Sequence, residues 1–250
     1  MSRWRGNILS YDNVKTTKGE KHGWASFIFM GAPHEESGYN ACVGSSAGCR
    51  ATCLYYAGRG AFPQVKSARI RKTKLYFEDF TTFKSSMEKD IKSALNWADR
   101  NNLKPCFRLD GTTDLGVAQH FVSNNKTKQF YDYTKCPSRI RMAEKHDNWH
   151  ITYSLSENTT TKRMRILLAS NSNIAIPFHN VPEIGTRLLG REIVSGDETD
   201  LRFLDGMKKI VTLKVKGGKG KKTLNEDKKS TNGFILTDGA ALEKRFAALA

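Results

Sequence analysis

The stretch "WHITYSL", residues 149–155, carries the pattern that decides the predicted fold. Successive side chains of a strand point to opposite faces, so this segment would have one apolar and one polar face. A parallel sheet buried between two layers of helices is instead apolar on both faces. The segment therefore predicts a strand with helices on one side and a polar interior on the other. The apolar face holds Trp149, Ile151, Tyr153 and Leu155, and the polar face holds His150, Thr152 and Ser154.

The segment "CFRLD", residues 106–110, repeats this alternation. Strand-like and helix-like segments then alternate along most of the chain, which is typical of βαβ units and a mainly parallel sheet. Helices outside and polar residues inside are the arrangement of a barrel. We therefore expect an α/β fold, a partial (βα)6 TIM-like barrel. In "CFRLD" the apolar face holds Phe107 and Leu109, and the polar face holds Cys106, Arg108 and Asp110.

The domain organisation predicted from these segments is simple. We expect one barrel domain over residues 1–216, with an N-terminal extension over about residues 1–22. A Lys/Gly-rich segment and a short C-terminal helix would occupy residues 217–250. The clearest helix is "EDFTTFKSSMEKDIKSALNWADRNN", residues 78–102, whose apolar residues recur every three or four positions. Asp79 can cap it at its N-terminus, and the asparagine pair can end it.

Polar residues follow five predicted strands, at the end where α/β barrels place their sites. Gly, Ser, Asp and Asn also make ordinary turns, which is the alternative interpretation. Five polar strand ends in succession favour a functional site. They are residues 110–114, 134–135, 154–157, 179–180 and 195–197.

Three cysteines lie within "YNACVGSSAGCRATCLYYAGRG", residues 39–60, directly after the first long predicted strand. Cys42, Cys49 and Cys53 have the spacing C-x6-C-x3-C. Thiolates suit soft metals, so zinc and iron–sulfur clusters are the candidates. A structural zinc site needs a fourth ligand, such as His34 or a distant cysteine, whereas three thiolates fit a [4Fe–4S] cluster with one open iron. Free or buried cysteines without metal are the third interpretation.

The other two cysteines lie on later strands. Cys106 begins the strand that carries Arg108, so we expect it toward the amino end of the barrel, away from the cysteine loop. Cys136 precedes Pro137 at the carboxyl end of the next strand and is the better candidate for a fourth thiol. We nevertheless predict that Cys136 is not a ligand.

The charge of the chain is strongly basic, with 41 Lys and Arg against 25 Asp and Glu, a net charge of +16. Much of the excess lies in "KSARIRKTK" (66–74) and "KVKGGKGKK" (214–222). Such segments bind phosphate backbones or acidic surfaces, or they form a solvated surface. Nucleic acid is therefore a candidate partner. Residues 216–230 have almost no apolar side chains, and we expect them to be loosely packed.

The compartment is predicted from what the chain lacks. No stretch approaches the ~18 apolar residues of a membrane span, and the first residues lack the apolar core of a signal peptide. We expect no membrane partner and a cytoplasmic protein. In a reducing compartment, clustered cysteines more often bind metal or react than form disulfides, and five is an odd number for a disulfide framework.

A cysteine loop after the first strand of a βα half-barrel resembles the radical S-adenosylmethionine (SAM) enzymes. In that superfamily a loop with the usual spacing C-x3-C-x2-C holds a [4Fe–4S] cluster whose open iron binds SAM. The chain is more similar to a bacteriophage family, the "gene product eighty-eight"-like proteins. The similar motifs are the cysteine loop, "RLDGTTD" (108–114) and "GDETDLRFLD" (196–205), and the resemblance spans roughly residues 24–216. It implies a phage-encoded protein of the host cytoplasm.

The resemblance also implies site residues. "RLDGTTD" occupies the position at which radical SAM enzymes hold the SAM amino group, so Asp110, Gly111 and Asp114 would bind this cofactor. Strand alternation adds Thr152 and Ser154 to the same cavity. Candidates to bind a polar or phosphorylated substrate are Arg108, Asp197, Asp200 and Arg202. Structural ion pairs are the alternative role of those four residues.

We therefore expect a phage-encoded iron–sulfur protein, a radical-SAM-like enzyme acting on a small molecule or nucleotide. Its catalytic residues are not indicated by the sequence. The alternative belongs to another class: a basic nucleic-acid-binding or host-interaction protein on the same scaffold, with structural zinc or no metal.

Overall fold

The computed structural model describes residues 4–11, 14–56, 58–215 and 233–249. The segment predicted to be loosely packed, residues 216–230, lies outside the described residues, as does most of "KVKGGKGKK". Within the described ranges, no helix is long and apolar enough to cross a membrane.

The described residues form nine strands and seven helices, with short 3₁₀ turns between them. The strands are β1 (Leu9–Ser10), β2 (Trp24–Phe29), β3 (Lys104–Arg108), β4 (Gln129–Thr134), β5 (Trp149–Ser154), β6 (Asn173–Phe178), β7 (Arg187–Leu188), β8 (Arg191–Ser195) and β9 (Ile210–Lys214). The helices are α1 (Val14–Glu20), α2 (Ala47–Ala51), α3 (Pro63–Glu78), α4 (Phe80–Arg100), α5 (Pro137–Ala143), α6 (Thr161–Ala169) and α7 (Gly239–Arg245).

All nine strands lie in one mixed sheet with the order β1-β2-β3-β4-β5-β6-β9-β8-β7. The seven central strands run parallel, whereas β1 and β7 pair antiparallel at the two edges. Strands β2 to β6 follow one another in chain order, so each connection crosses to the adjacent strand. The prediction of a mainly parallel α/β fold is confirmed. The strand order does not show a barrel, and the resemblance to radical SAM folds receives no support from it.

One face of the sheet, here called the helix face, carries the main core. Helices α3 to α6, which lie in the connections from β2 to β3, β4 to β5 and β5 to β6, pack against the large apolar side chains that alternate along the strands. The side chains predicted to face helices in "CFRLD" and "WHITYSL" do so, which confirms the predicted alternation of the two strands. The strand residues of this core include Phe27, Phe29, Phe107, Leu109, Phe130, Trp149, Ile151, Tyr153, Ile174 and Ile176.

The opposite face, here called the polar face, has a much smaller apolar cluster. Cys106 and Tyr131 contact Leu201 there, and Trp24 and Phe203 pack against them. The Tyr131 hydroxyl lies 2.6 Å from the Ser26 hydroxyl. The connection after β8 therefore covers part of this face with its own side chains.

Both ends of the described chain join the main core. Trp4, Ile8 and Leu9 pack in it from the N-terminal side, within the predicted extension. Leu242 and Phe246 of the C-terminal helical segment pack in it as well. The predicted N-terminal extension and the C-terminal helix thus both contribute side chains to this core.

Helix α4 forms as its periodicity predicts. The Asp79 carboxylate accepts a hydrogen bond from the Thr82 amide at 3.0 Å, and the helix ends at Arg100 with Asn101 as its C-cap. Phe83, Met87 and Ile91 are buried on its inner face. The segments "TCLYYAGRGAF" (52–62) and "DLGVAQHFVSNN" (114–125), which have helix-like compositions, each form two short 3₁₀ turns instead of a helix.

Candidate functional site

A cavity of about 240 Å³ lies at the carboxyl ends of β3, β4 and β5. The cysteine loop forms one wall, and the polar residues that follow the three strands form the other. We call this space the cysteine cavity. It is lined by Pro33, His34, Cys42, Ser45, Cys49, Arg50, Cys53, Tyr56, Thr112, Thr113, Asp114, Tyr133, Thr134, Lys135 and Ser154.

The loop is held in place by capping and by one carboxylate. The Ser46 hydroxyl accepts a hydrogen bond from the Cys49 amide at 3.3 Å, which starts α2. Glu157, which follows β5, accepts from the Ser46 hydroxyl and from the Gly48 amide, both at 2.6 Å. Farther along, the Arg245 guanidinium donates to the carbonyls of residues 156, 157 and 159, which fixes the segment that carries Glu157. The sheet thus sets the position of Cys49 through Glu157.

The three loop thiols are close enough to affect one another. Burial raises the pKa of Cys42 to about 12, and the neighbouring Asp114, Cys49 and Cys53 contribute in the same direction. Burial also raises the pKa of Cys53, again with a contribution from Cys49. The structure therefore brings together the three cysteines that the spacing singles out, at the same end of the strands as Asp114. At neutral pH, Cys42 and Cys53 are neutral thiols.

Neither of the other cysteines lines the cavity. Cys106 is fully buried on the polar face, where its thiol donates to the Ala25 carbonyl at 3.6 Å. Cys136 lies beside the loop: a methyl group added at Gly44 would stand 3.3 Å from its sulfur. Among the described residues, no group of three or more His, Cys, Asp and Glu side chains is arranged to hold a metal ion. The three thiols thus share a cavity without forming a closed set of ligands.

Asp110 and Gly111 do not line the cavity. The Asp110 carboxylate accepts four hydrogen bonds from the loop that follows it, one from the Thr113 hydroxyl and three from the amides of residues 115–117, at 2.7–3.0 Å. At Gly111 a Cβ would lie 2.4 Å from Ile28 and 2.8 Å from the Phe29 carbonyl oxygen. The aspartate organises a turn, and the glycine lets β3 approach β2. Both roles are structural in this arrangement.

Asp114 and Ser154 do line the cavity, whereas Thr152 does not. One Asp114 oxygen accepts from the Thr134 hydroxyl at 2.8 Å and pairs with the Arg139 guanidinium. Its second oxygen accepts from the Lys135 amide at 2.9 Å. Thr152 is fully buried two residues before Ser154, and its hydroxyl has no hydrogen-bond partner among the described residues.

The four predicted substrate-binding residues also lie outside the cavity. Arg108 pairs with Asp200 at 2.5 Å, and Arg202, fully buried, pairs with Asp205 at 3.0 Å. We call Arg108, Asp200, Arg202 and Asp205 the ion-pair cluster. Burial is the largest single effect on Arg108 and disfavours its charge, but Asp200 together with Tyr133, Tyr131 and Asp132 raises the Arg108 pKa overall.

Asp197 lies away from this cluster, and its carboxylate accepts from the Lys214 amide at 2.8 Å.

Lys135 lines the cavity, although the sequence assigned it no role beyond its place in a polar strand end. It follows the last residue of β4, and its ammonium donates to the Ser154 hydroxyl at 2.5 Å. Its side chain passes Gly44, where a Cβ would come within 2.8 Å of the Lys135 Cβ. Its place in a polar strand end was the feature of the sequence that could have indicated a role in the site. A single lysine in a strongly basic chain, however, does not stand out.

The basic segment 66–74 lies in α3, and part of its charge is used within the protein. The Lys72 ammonium donates to the Ile8 carbonyl at 2.7 Å. The Arg69 guanidinium lies over the Tyr55 ring at 5.5 Å, and Lys66 lies over both Tyr55 and Tyr56. This helix therefore supports the cysteine loop from behind.

The fold and the cavity together define the class: an α/β protein with a mostly parallel sheet and a cavity of three thiols at the strand ends. The chain belongs to the Gene product 88 family, whose family model matches residues 7–236. No curated protein and no solved structure matches the chain. The comparisons give no evidence for a relationship to the radical SAM enzymes.

Proposed function

We propose that the cysteine cavity holds an iron–sulfur cluster, [4Fe–4S], through Cys42, Cys49 and Cys53. The protein would be a phage-encoded metalloenzyme that acts on a small polar or phosphorylated molecule bound in the same cavity. The observation that carries this proposal is the convergence of three of the five cysteines on one cavity at the carboxyl ends of parallel strands. Sites of α/β proteins are usually at this end of the sheet.

The donor groups fit such a cluster. Three thiols suit iron–sulfur ligation and leave one iron for another ligand. Two buried donors beside Cys53 have no hydrogen-bond partner among the described residues: the Tyr55 hydroxyl and one Arg69 nitrogen. Arg69 lowers the pKa of Cys53, although burial outweighs it. A negatively charged thiolate or sulfide at this place would use donors that are otherwise unsatisfied.

The thiols would have to approach one another to bind the group, since they do not form a closed ligand set as they stand. The loop between Cys42 and Cys53 is the element that would move. A bound cluster would supply one-electron chemistry and an open coordination position. The residues opposite the loop, Ser154 and Lys135, would orient the second ligand.

SAM is part of the same proposal. The proposal extends to a partial (βα)6 barrel and a radical-SAM-like reaction, for which the sequential order of β2 to β6 is one requirement and not evidence. Of the residues implied to hold the SAM amino group, Asp114 lines the cavity. Asp114 would bind the SAM amino group only after its ion pair with Arg139 had loosened.

The test is metal analysis of protein purified without oxygen and reconstituted with iron and sulfide. We expect about four irons and four sulfides per chain and a broad absorbance near about 400 nm. Cys42→Ser, Cys49→Ser and Cys53→Ser should each remove most of the iron, whereas the matched control Cys136→Ser should retain it. Colourless protein without iron would refute the cluster, and zinc in its place would identify the alternative metal. Equal loss in Cys136→Ser and Cys49→Ser would indicate a four-thiolate site.

A second class of function is favoured by a different observation. A cavity of about 390 Å³ at the amino ends of β2 to β5 is lined by three lysines, Lys104, Lys126 and Lys128, with Trp24 and a single carboxylate, Asp147. A basic groove with an aromatic side chain suits single-stranded nucleic acid. Under this proposal, binding of a labelled single-stranded oligonucleotide should weaken steeply with salt, and replacing two of the lysines by Met should flatten that dependence. Binding that is insensitive to salt would refute it.

A further inference from the structure

Lys135 lines the cysteine cavity, and no carboxylate among the described residues forms an ion pair with it. Its ammonium contacts the Ser154 hydroxyl at 2.5 Å and lies 5.1 Å from the centre of the Phe234 ring. The side chain is half-buried. A cation held toward a cavity without a counter-charge attracts an anion.

The rest of the cavity reinforces this charge. Asp114 is the one carboxylate among the lining residues, and Arg139 neutralises it from behind. Arg50 adds a second cation at the rim, where its guanidinium donates to the Ser45 carbonyl at 3.1 Å. The cavity therefore carries two cationic groups, Lys135 inside and Arg50 at the rim, that the lining carboxylate does not offset.

The position of Lys135 is fixed by its backbone. Its amide donates to Asp114 at 2.9 Å, and the amide of the next residue, Cys136, donates to the Thr134 hydroxyl at 2.9 Å. Ser154 ends the adjacent strand, β5, and accepts from the lysine. A hydroxyl that accepts one hydrogen bond can still donate its own proton. Lysine and serine thus present donors side by side from two neighbouring strands.

We propose that Lys135 and Ser154 form a subsite for the phosphate group of a small ligand. Two uncompensated cations match a dianion, and the donors on Lys135 and Ser154 match the oxygens of a tetrahedral phosphate. The cavity volume admits a phosphate group together with a small organic part. The subsite rests on the proposed function, because its role as a substrate site depends on that proposal. It assigns recognition to Lys135 and Ser154 instead of to the residues of the ion-pair cluster.

The test uses the full-length, metal-free protein and inorganic phosphate as the probe. In titration calorimetry at low ionic strength, Lys135→Met should weaken phosphate binding at least tenfold, and Ser154→Ala about threefold to tenfold. Lys135→Arg keeps the charge and should retain most of the affinity. The matched control Lys162→Met removes an exposed lysine of α6 and should leave binding unchanged. Acetate, with a single charge, should bind at least tenfold more weakly than phosphate.

Equal losses in Lys135→Met and Lys162→Met would overturn the subsite, and so would phosphate binding that is unaffected by Lys135→Met. Acetate binding as tight as phosphate would overturn the assignment to phosphate. The same titration in a Cys42→Ser, Cys49→Ser, Cys53→Ser protein separates the two proposals. Phosphate binding should persist there, because Lys135 and Ser154 are intact, even if the parent protein proves to hold no cluster.

Discussion

The ion-pair cluster and the cysteine cavity contain the residue types from which active sites are built, yet they differ in how those residues are satisfied. Tyr133 connects the two, because its ring lies 4.7 Å from the Arg108 guanidinium while the residue also lines the cavity. In the cluster, arginines and aspartates neutralise one another inside the protein. In the cavity, three thiols and a lysine face a space that can admit a ligand. Residue type alone does not distinguish structure from function, whereas the list of partners does.

This difference sets what each substitution should cost. A buried ion pair that loses one partner leaves a charge in the protein interior, so substitutions in the ion-pair cluster should reduce the free energy of unfolding. Residues that line an open cavity have water as an alternative partner, and their loss should change ligand binding more than stability. The predictions below concern the free energy of unfolding of the metal-free protein, measured by urea titration.

The largest loss is expected for Arg108→Met. It leaves the Asp200 carboxylate buried without its guanidinium, which should lower the free energy of unfolding by about 3–5 kcal/mol. The double variant Arg108→Met, Asp200→Leu removes both charges and should recover most of that loss. If the Arg108→Met protein is stable but no longer binds phosphate, the ion-pair cluster is a ligand site and not a structural one.

Asp110→Asn should have the next largest effect. The carboxylate accepts hydrogen bonds from the Thr113 hydroxyl and from three backbone amides. In the variant, an NH2 group replaces one of the two acceptor oxygens, so that a donor would face the donors of the turn. We expect a loss of about 2–3 kcal/mol. The control Asp99→Asn lies on the exposed surface of α4 and should change stability by less than about 0.5 kcal/mol. If Asp110→Asn matches this control, the aspartate is not the organiser of its turn.

His150→Gln tests the polar face through pH. Burial, and then the nearby Arg202, lower the pKa of His150 to about 4. The unfolded chain takes up a proton as the pH falls below about 6.5, but the folded protein does not until about pH 4, so this residue reduces stability across that window. Between pH 7 and pH 5 the parent protein should lose about 2 kcal/mol more than the variant, which has no titrating group there. Parallel pH profiles of the two proteins would contradict the burial of a neutral histidine.

Much of the fold was predictable because period-2 alternation is a strong local signal. The helix face and the polar face of β3 and β5 follow directly from "CFRLD" and "WHITYSL". Helix α3 was not predicted, because its charged and apolar residues do not segregate onto separate faces and it contributes little to the core. The strand order beyond β6, where β9 inserts before β8, depends on long-range pairing that no local pattern encodes.

The candidate site was predictable in its position and only partly in its members. The cysteine loop and the polar strand ends meet as expected, since carboxyl ends of parallel strands share one edge. Asp110 and Gly111 occupy the right strand end, but their neighbours use them for a turn and a close approach. The importance of Lys135 depends on which charges lack partners, which only the three-dimensional arrangement shows.

The smallest effect on stability should come from Glu157→Gln, at the link between the sheet and the cysteine loop. The carboxylate accepts from the Ser46 hydroxyl and the Gly48 amide, so the variant keeps one acceptor and the shape of the side chain. Because the group is half-buried and water can replace one contact, we expect a loss of about 1 kcal/mol. The effect should be local: hydrogen exchange of the Gly48 amide should accelerate, while amides of β5 keep their protection. Glu88→Gln, on the exposed side of α4, provides the control and should change neither quantity.

After reconstitution, the Glu157 variant should also release iron faster than the parent, because its loop is less firmly held. Unchanged hydrogen exchange of the Gly48 amide would show that capping within the loop is enough to position it. The shape of the cavity, unlike that of the ion-pair cluster, would then not depend on a buried charge.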